Sequence, residues 1–326
     1  MSEALLSAYA FQPLASDDGR ACLYPLHETA LLQIQGKDAA KFMQGQMTAN
    51  IQEITPQQWR RGANCTAKGR MVNSFTLLQA DDPEPTYLLA MHSPLLEISM
   101  AHLKKYAVFF KASLQNAPDW VLLGAHGDGI EPLLQNVWPE LPSPLQAVQN
   151  QSGCLLHMDI PGTWQLWLKR DAAQQVLDKL APQLQLHSAE QGLAHYLRAG
   201  IGRVRADTTE LFIPQMLNLH KNAGISFNKG CYTGQEIIAR MQYLGKLKRH
   251  MYPLRFTANA APAAGTHLYS PLKNSEVGEL AEAIAVAPGE YLALAVIEDE
   301  FKDSPLQLGQ DNPISLELLS LPYSLD

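Results

Sequence analysis

Apolar residues fall in short runs separated by polar breaks, and the period of the runs changes along the chain. Leu31-Leu32-Gln33-Ile34 leads into Gly36-Lys37-Asp38-Ala39-Ala40. Val121-Leu122-Leu123-Gly124 leads to Asp128 and a Leu-rich segment, and Trp164-Gln165-Leu166-Trp167-Leu168 leads to Asp171-Ala172-Ala173. Each unit predicts a strand, an Asp N-cap and an amphipathic helix. In the third unit Val176, Leu177 and Leu180 mark the apolar stripe. Further strands are predicted at 74–79 and 87–91. Strand–helix units with additional strands predict an α+β domain. No G-x-G-x-x-G follows any strand, which argues against a parallel dinucleotide-binding sheet.

The character changes after Gly245, where no long helical pattern survives. Strands are predicted at 251–256, 278–286, 291–297 and 314–319, with Pro288-Gly289 as a turn and the Ala- and Pro-rich 258–265 as a loop. Several short strands in so few residues predict a small β-barrel. The expected division is a first domain over 1–244 and a barrel over 245–326.

The 326 residues are enough for two such domains. Hydrophobic residues make up 46% and charged residues 17%, a globular balance, and 81–85 reads as a surface loop. No apolar run approaches bilayer length, and 1–18 lacks the charged start and apolar core of a signal peptide, so a cytoplasmic protein with no membrane partner is expected. A net charge of −7 gives no general attraction for nucleic acid, and direct tRNA binding is not expected. The four cysteines, Cys22, Cys65, Cys154 and Cys231, form no C-x-x-C pair, which argues against a metal site held by this chain alone. They are expected to be free thiols, with Cys22 and Cys154 buried and Cys65 approaching Cys231.

The densest chemistry lies in Lys229-Gly230-Cys231-Tyr232-Thr233-Gly234-Gln235-Glu236. The glycines allow close backbone approach. Thr233 and Glu236 have capping-box spacing, Ile237, Ile238, Met241 and Leu244 follow at helical spacing, and Gly245 can close the helix in the left-handed conformation. Cys231 therefore precedes a helix N-terminus near Lys229, a setting that favours a thiolate. A tight loop feeding a helix, with Cys231 as a small buried group, is the plainer reading. The run of polar types favours a site.

This octapeptide, with Phe227 before it and Ala239-Arg240 after it, resembles the signature of the YgfZ family of folate-binding proteins, relatives of the glycine cleavage aminomethyltransferase (T-protein). Gly36-Lys37-Asp38-Ala39-Ala40, Phe42, Gln44-Gly45-Gln46-Met47-Thr48, Ala67-Lys68-Gly69-Arg70, Leu103-Lys104-Lys105-Tyr106, Phe212-Ile213-Pro214-Gln215, Asn218-Leu219, Gly224-Ile225-Ser226-Phe227 and Leu321-Pro322-Tyr323 extend the resemblance in order over nearly the whole chain. The resemblance implies a folate-binding domain followed by a C-terminal barrel, arranged around a central hole. It also implies an accessory protein that supports iron–sulfur cluster assembly or repair, and thereby tRNA thiolation. Its partners would be iron–sulfur proteins, tRNA-thiolating enzymes among them. The implied cofactor is tetrahydrofolate or a one-carbon derivative, polyglutamylated forms included. The alternative is a folate-dependent one-carbon transferase with an unknown acceptor.

A folate needs a flat slot, hydrogen-bonding groups for the pterin edge and cations for its tail. The blocks supply Gln46, Asn50, Lys68, Arg70, Gln215, Phe227, Tyr232, Gln235 and Arg240, with Arg240 also expected to clamp the motif by bidentate contacts. The cluster Lys246, Lys248, Arg249 and His250 is either a solvated face or an attractor of the anionic tail. Members of the family place tryptophans where this chain has Thr29 and Gly192, which removes two stacking surfaces; Tyr196 is a nearby substitute. Aminomethyltransferases carry an Asp-Asp pair where this chain has Asn73-Ser74, so aminomethyl transfer and classical turnover are not expected.

Overall fold

The alternation in the sequence becomes two stacked sheets. In the computed structural model, which describes residues 5–12, 18–245, 247–310 and 313–325, the chain opens with β1 (Cys22–Pro25), β2 (Thr29–Gln35) and α1 (Ala39–Gln44). β3 (Arg60–Cys65), β4 (Met71–Ala80), β5 (Thr86–His92), α2 (Leu96–Ala107) and β6 (Ser113–Asn116) complete a sheet of order β3-β4-β5-β2-β6. The second sheet adds β7 (Trp120–His126), β8 (Ala147–Asn150), β9 (Gly153–His157), β10 (Thr163–Lys169) and β11 (Gln185–Leu186) to β1, in the order β11-β1-β7-β10-β9-β8. Its helices are α3 (Ile130–Leu134), α4 (Arg170–Leu180) and α5 (Ala189–Arg198).

Period-two alternation sorts each strand between two cores. On β2, Leu32 and Ile34 join Phe42, Met43, Met100 and Leu103 of α1 and α2, while Leu31 turns to the other sheet. On β7, Val121 and Leu123 pack against Val176, Leu177 and Leu180 of α4, and Leu122 turns inward. Helices α1, α2 and α4 therefore cover the outer faces, and Tyr24, Trp59 and Trp167 fill the layer between the sheets.

Of the three predicted Asp caps, only Asp38 is the N-cap residue of its helix. Asp38 makes no cap hydrogen bond; its carboxylate accepts from the Lys111 N–H at 2.9 Å. The N-cap of α3 is the left-handed Gly129, not Asp128, and that of α4 is Lys169, with Asp171 in the first turn. α5 has a capping box that was not foreseen, with Ser188 and Gln191 bonded reciprocally.

Beyond α5, irregular chain runs to α6 (Gln235–Tyr243), the motif helix. The expected barrel follows as β12 (Arg249–Thr257), β13 (His267–Ser270), β14 (Lys273–Ala287), β15 (Glu290–Glu298), β16 (Leu306–Leu308) and β17 (Ile314–Leu318), closed in the order β12-β15-β14-β13-β16-β17. β13 and β16 were not predicted. One apolar cluster crosses the 244/245 boundary, joining Met251, Leu292 and Leu294 of the barrel to Leu197, Phe212 and Ile238 of the body. No helix of the described residues is long and apolar enough to cross a membrane.

Candidate functional site

The octapeptide is pinned at both ends, with its thiol exposed between. Lys229 Nζ donates to the carbonyls of Gln44, Met47 and Ala49 at 2.9, 2.6 and 2.7 Å, and lies 4.8 Å from the centre of the Tyr232 ring. Burial pulls its pKa down to about 8. The ammonium is thus taken up by three carbonyls. Gly234 has φ +87°, and a Cβ there would lie 2.5 Å from the Thr66 carbonyl oxygen and 3.1 Å from Cys65 Cβ. Gly230 faces open space, so close approach explains only the second glycine. Cys231 is exposed and free, whereas Cys65 is buried against Gly234, where burial pushes its thiol far up. Cys22 and Cys154 are buried, as expected.

The helix itself departs from its predicted ends. Gly234, not Thr233, is the N-cap, and neither Thr233 nor Glu236 caps it. Thr233 Oγ1 bonds Gln46 Oε1 at 3.3 Å, and Gln235 Oε1 accepts from the Tyr232 N–H at 3.3 Å. Glu236 and Leu244 are exposed, while Ile238 is buried. Gly245 is not left-handed; its N–H bonds the Arg240 carbonyl at 2.7 Å. Arg240 is exposed, and among the described residues its guanidinium makes no hydrogen bond or ion pair, so it does not clamp the motif.

The other candidates divide into two places. Gln46 and Asn50 flank the Lys229 carbonyls, with Asn50 bonded to Gln44 and Glu53. Lys68 is exposed on the turn before Gly69, and Gly69 packs on Ile237 of the motif helix. Arg70 donates to the Leu211 carbonyl. Gln215 Nε2 donates to the Ile238 carbonyl at 2.7 Å, and its buried Oε1 has no partner. Phe227 meets Tyr243 edge to face. These residues brace the motif helix and its loop. Of the basic cluster, Lys246 lies outside the described residues. Arg249 is paired with Glu279 and Glu298, and His250 with Asp299, so neither is available to attract a ligand tail.

Thr29 lies elsewhere, on a cavity of about 120 Å³ where the two sheets, α5 and the 201–203 segment meet. Tyr196 lines it too, and its hydroxyl accepts from Gln165 Nε2 at 3.0 Å. Gly192 is closed off: any Cβ there would lie 1.9 Å from Tyr24 Cδ2, so the Tyr24 ring occupies the room a side chain would need.

The strongest polar groups of the cavity were missed by sequence reasoning. Arg61, His92, Gln165 and Arg203 all line it. Arg61 Nη1 pairs with Asp159, but buried Arg61 Nη2, Asp159 Oδ1 and both ring nitrogens of His92 have no hydrogen-bond partner. His92 is held neutral: burial, then Arg203 and Arg205, pull its pKa down to about 4. Arg203 donates to Glu282 at 2.8 Å and to Glu28 at 2.7 Å, and Arg205 contacts the same two carboxylates. A neutral imidazole offers one donor and one acceptor, so with the free guanidinium nitrogen it can read the edge of a polar ring. The available signal was a polar residue on an inward-facing register: His92 follows Leu88 and Ala90 on one face of β5.

Asn73 is buried and engaged. Its Nδ2 donates to Ser99 Oγ at 2.6 Å and its Oδ1 accepts from the Asn64 N–H at 3.2 Å. Ser74 Oγ accepts from the Val204 N–H at 2.8 Å.

No protein-family model matches the chain. It is 36% identical over 323 residues to "tRNA-modifying protein YgfZ" of Yersinia enterocolitica, covering 97% of both chains. The protein of the same name from Yersinia pestis (strain Pestoides F) is 36% identical over 318 residues, covering 96% of each. The glycine cleavage system aminomethyltransferase T from Bartonella henselae superposes with a TM-score of 0.71 at 17% identity, over 93% of this chain and 86% of that one, a likeness of fold.

Proposed function

The chain belongs to the family of tRNA-modifying protein YgfZ, and from that premise we propose that it is a folate-binding accessory factor in tRNA modification. In this reading the cavity seats the pterin of a tetrahydrofolate or one-carbon derivative. The observation that carries it is the set of buried, unpartnered polar atoms on Arg61 and His92, both of which line the hollow. Buried polar groups without partners cost about 1–3 kcal/mol each, so a fold that keeps several at one cavity has a ligand to satisfy them. At about 120 Å³ the hollow takes a flat ring system, and the glutamate-bearing tail lies outside it.

Cys231 is the functional thiol of the proposal, exposed on a loop that Lys229 and Gly234 hold rigid. It would act in maintaining or delivering iron–sulfur clusters to cytoplasmic partner enzymes, among them those that thiolate tRNA. Aminomethyl transfer is disfavoured because Asn73 is an amide already bonded to Ser99 and Asn64.

Titrating tetrahydrofolate into the wild type and into His92→Leu tests the reading. Saturable binding that weakens in the variant is expected. Absence of binding to the wild type, or equal binding to both, would remove the cavity from the proposal.

A further inference from the structure

We infer that the tip joining α2 to β6 docks an unpaired stretch of tRNA, with Phe109 stacking on a base and the surrounding lysines taking phosphates. The choice of RNA rests on the tRNA-linked reading above; the surface itself is independent of the folate cavity.

Val108 and Phe109 are 74% and 83% exposed. The next residue is turned the other way: Phe110 packs on Phe42 with ring centres 5.5 Å apart, which fixes the tip on α1. Asp38 completes the anchor. Its carboxylate accepts from the Lys111 N–H at 2.9 Å, and its own N–H donates to the Lys111 carbonyl at 3.2 Å. A Cβ at Gly36 would lie 2.4 Å from that same carbonyl, so the start of α1 and the tip are pressed together. Two bare apolar side chains are therefore presented by a braced turn.

This contact joins the segment that carries Lys37 and Lys41 to the one that carries Lys104, Lys105 and Lys111. All five are exposed, and among the described residues none is in an ion pair. The acid in contact, Asp38, spends its carboxylate on a backbone N–H. The chain as a whole carries −7, so this concentration of cations runs against its overall charge. Helix-end lysines favour their own dipoles, which accounts for Lys41, Lys104 and Lys105 singly. It accounts neither for Lys37 and Lys111 nor for the bare side chains between them.

The chemistry selects the occupant. Two apolar side chains bury less than one acyl chain, itself a marginal membrane anchor. Lysines are depleted in the cores of protein interfaces. A groove or tip with unpaired cations around an exposed ring matches single-stranded nucleic acid, where each base stacks and each lysine displaces a counterion.

The test is fluorescence anisotropy of an unmodified tRNA transcript with the full chain, over a series of salt concentrations. Phe109→Ala is expected to weaken binding roughly 5- to 150-fold, the range of one base–aromatic stack. Lys104→Gln with Lys105→Gln is expected to reduce the slope of log K against log salt by about 1.4. Leu272→Ala, which removes a side chain 71% exposed on the barrel, is the control and should bind as the wild type does. Unchanged melting temperatures keep the comparison one of binding. Lack of tRNA binding by the wild type, or no effect of Phe109→Ala, overturns the inference. Loss on Phe109→Ala of binding to phosphatidylserine vesicles, with tRNA binding intact, overturns it in favour of a lipid surface. Tetrahydrofolate titrated into the same variants should bind as in the wild type, so failure of the folate reading shows separately.

Discussion

His92 is a cost to the fold that the proposed ligand would offset. Its ring is buried, neutral and without a hydrogen-bond partner. His92→Leu should therefore raise the stability of the ligand-free protein by about 1–3 kcal/mol in urea melts, because it deletes an unsatisfied polar group. The same change should weaken tetrahydrofolate binding by about fivefold or more, one lost hydrogen bond. The pH dependence follows from the direction of the shift. The folded pKa, about 4, lies below the ordinary 6.5, so the contribution of His92 is complete above pH 6.5 and is lost as pH falls toward 4. His220, also pulled down to about 4 by burial, then by Lys221 and His250, acts in the same window. Melting temperature should fall steadily between those pH values, and His92→Leu should flatten the fall. Cys231 stands at the other extreme. Exposed and unpaired, it should be replaceable by Ala within about 0.5 kcal/mol of stability. Complementation of a strain lacking the protein, scored by tRNA thiolation, should nevertheless fail. Cys231 was legible in the sequence because its neighbours are contiguous. His92 was not, because its meaning depends on strands that the sequence does not pair by itself.

The motif helix shows what is legible at the scale of an element. Its existence follows from Ile237, Ile238 and Met241, of which Ile238 is fully buried. Its start does not, because Thr233 is drawn to Gln46 and the cap passes to a left-handed glycine wedged against Thr66 and Cys65. At α1 the N-cap residue is Asp38 as expected, but its carboxylate takes the Lys111 N–H instead of a helix N–H; at α3 and α4 the cap falls on Gly129 and Lys169. Strands β13 and β16 were too short to show a period. Among the folate candidates read from the blocks, Gln215 bonds this helix, Phe227 meets its Tyr243 and Gln46 bonds Thr233 just before it. Lys229 is the clearest brace. Lys229→Met would leave three carbonyls of the 44–49 segment without their donor. A loss of about 2–4 kcal/mol in urea melts is expected. Lys229→Arg should not restore it, because a planar fork cannot converge on three carbonyls as an ammonium does.

At the scale of the molecule, the sequence showed a body and a barrel but not how they are joined. The joint is a cluster of four charges from distant parts of the chain: Glu28 before β2, Arg203 and Arg205 in the connecting segment, and Glu282 on barrel strand β14. Arg203 and Glu282 are 79 residues apart, and Arg203 and Glu28 are 175 apart, so no local pattern announces the set. Glu282 is 1% exposed and answers two guanidinium groups, which makes it the keystone. Glu282→Gln would leave those cations partly buried against a neutral amide, a loss of about 3–5 kcal/mol. Because Arg203 also lines the cavity, tetrahydrofolate affinity should fall in the same variant. Added salt distinguishes this joint from a surface pair. Screening acts on exposed charges, so sodium chloride should not close the gap between wild type and variant in urea melts. Replacing Arg203 and Arg205 by Met together with Glu282→Leu should recover much of the loss, since an apolar set of similar volume carries no desolvation penalty. A gap that vanished with salt would mean that the cluster is solvated, and that the apolar contacts of Met251, Leu292 and Leu294 hold the barrel without it.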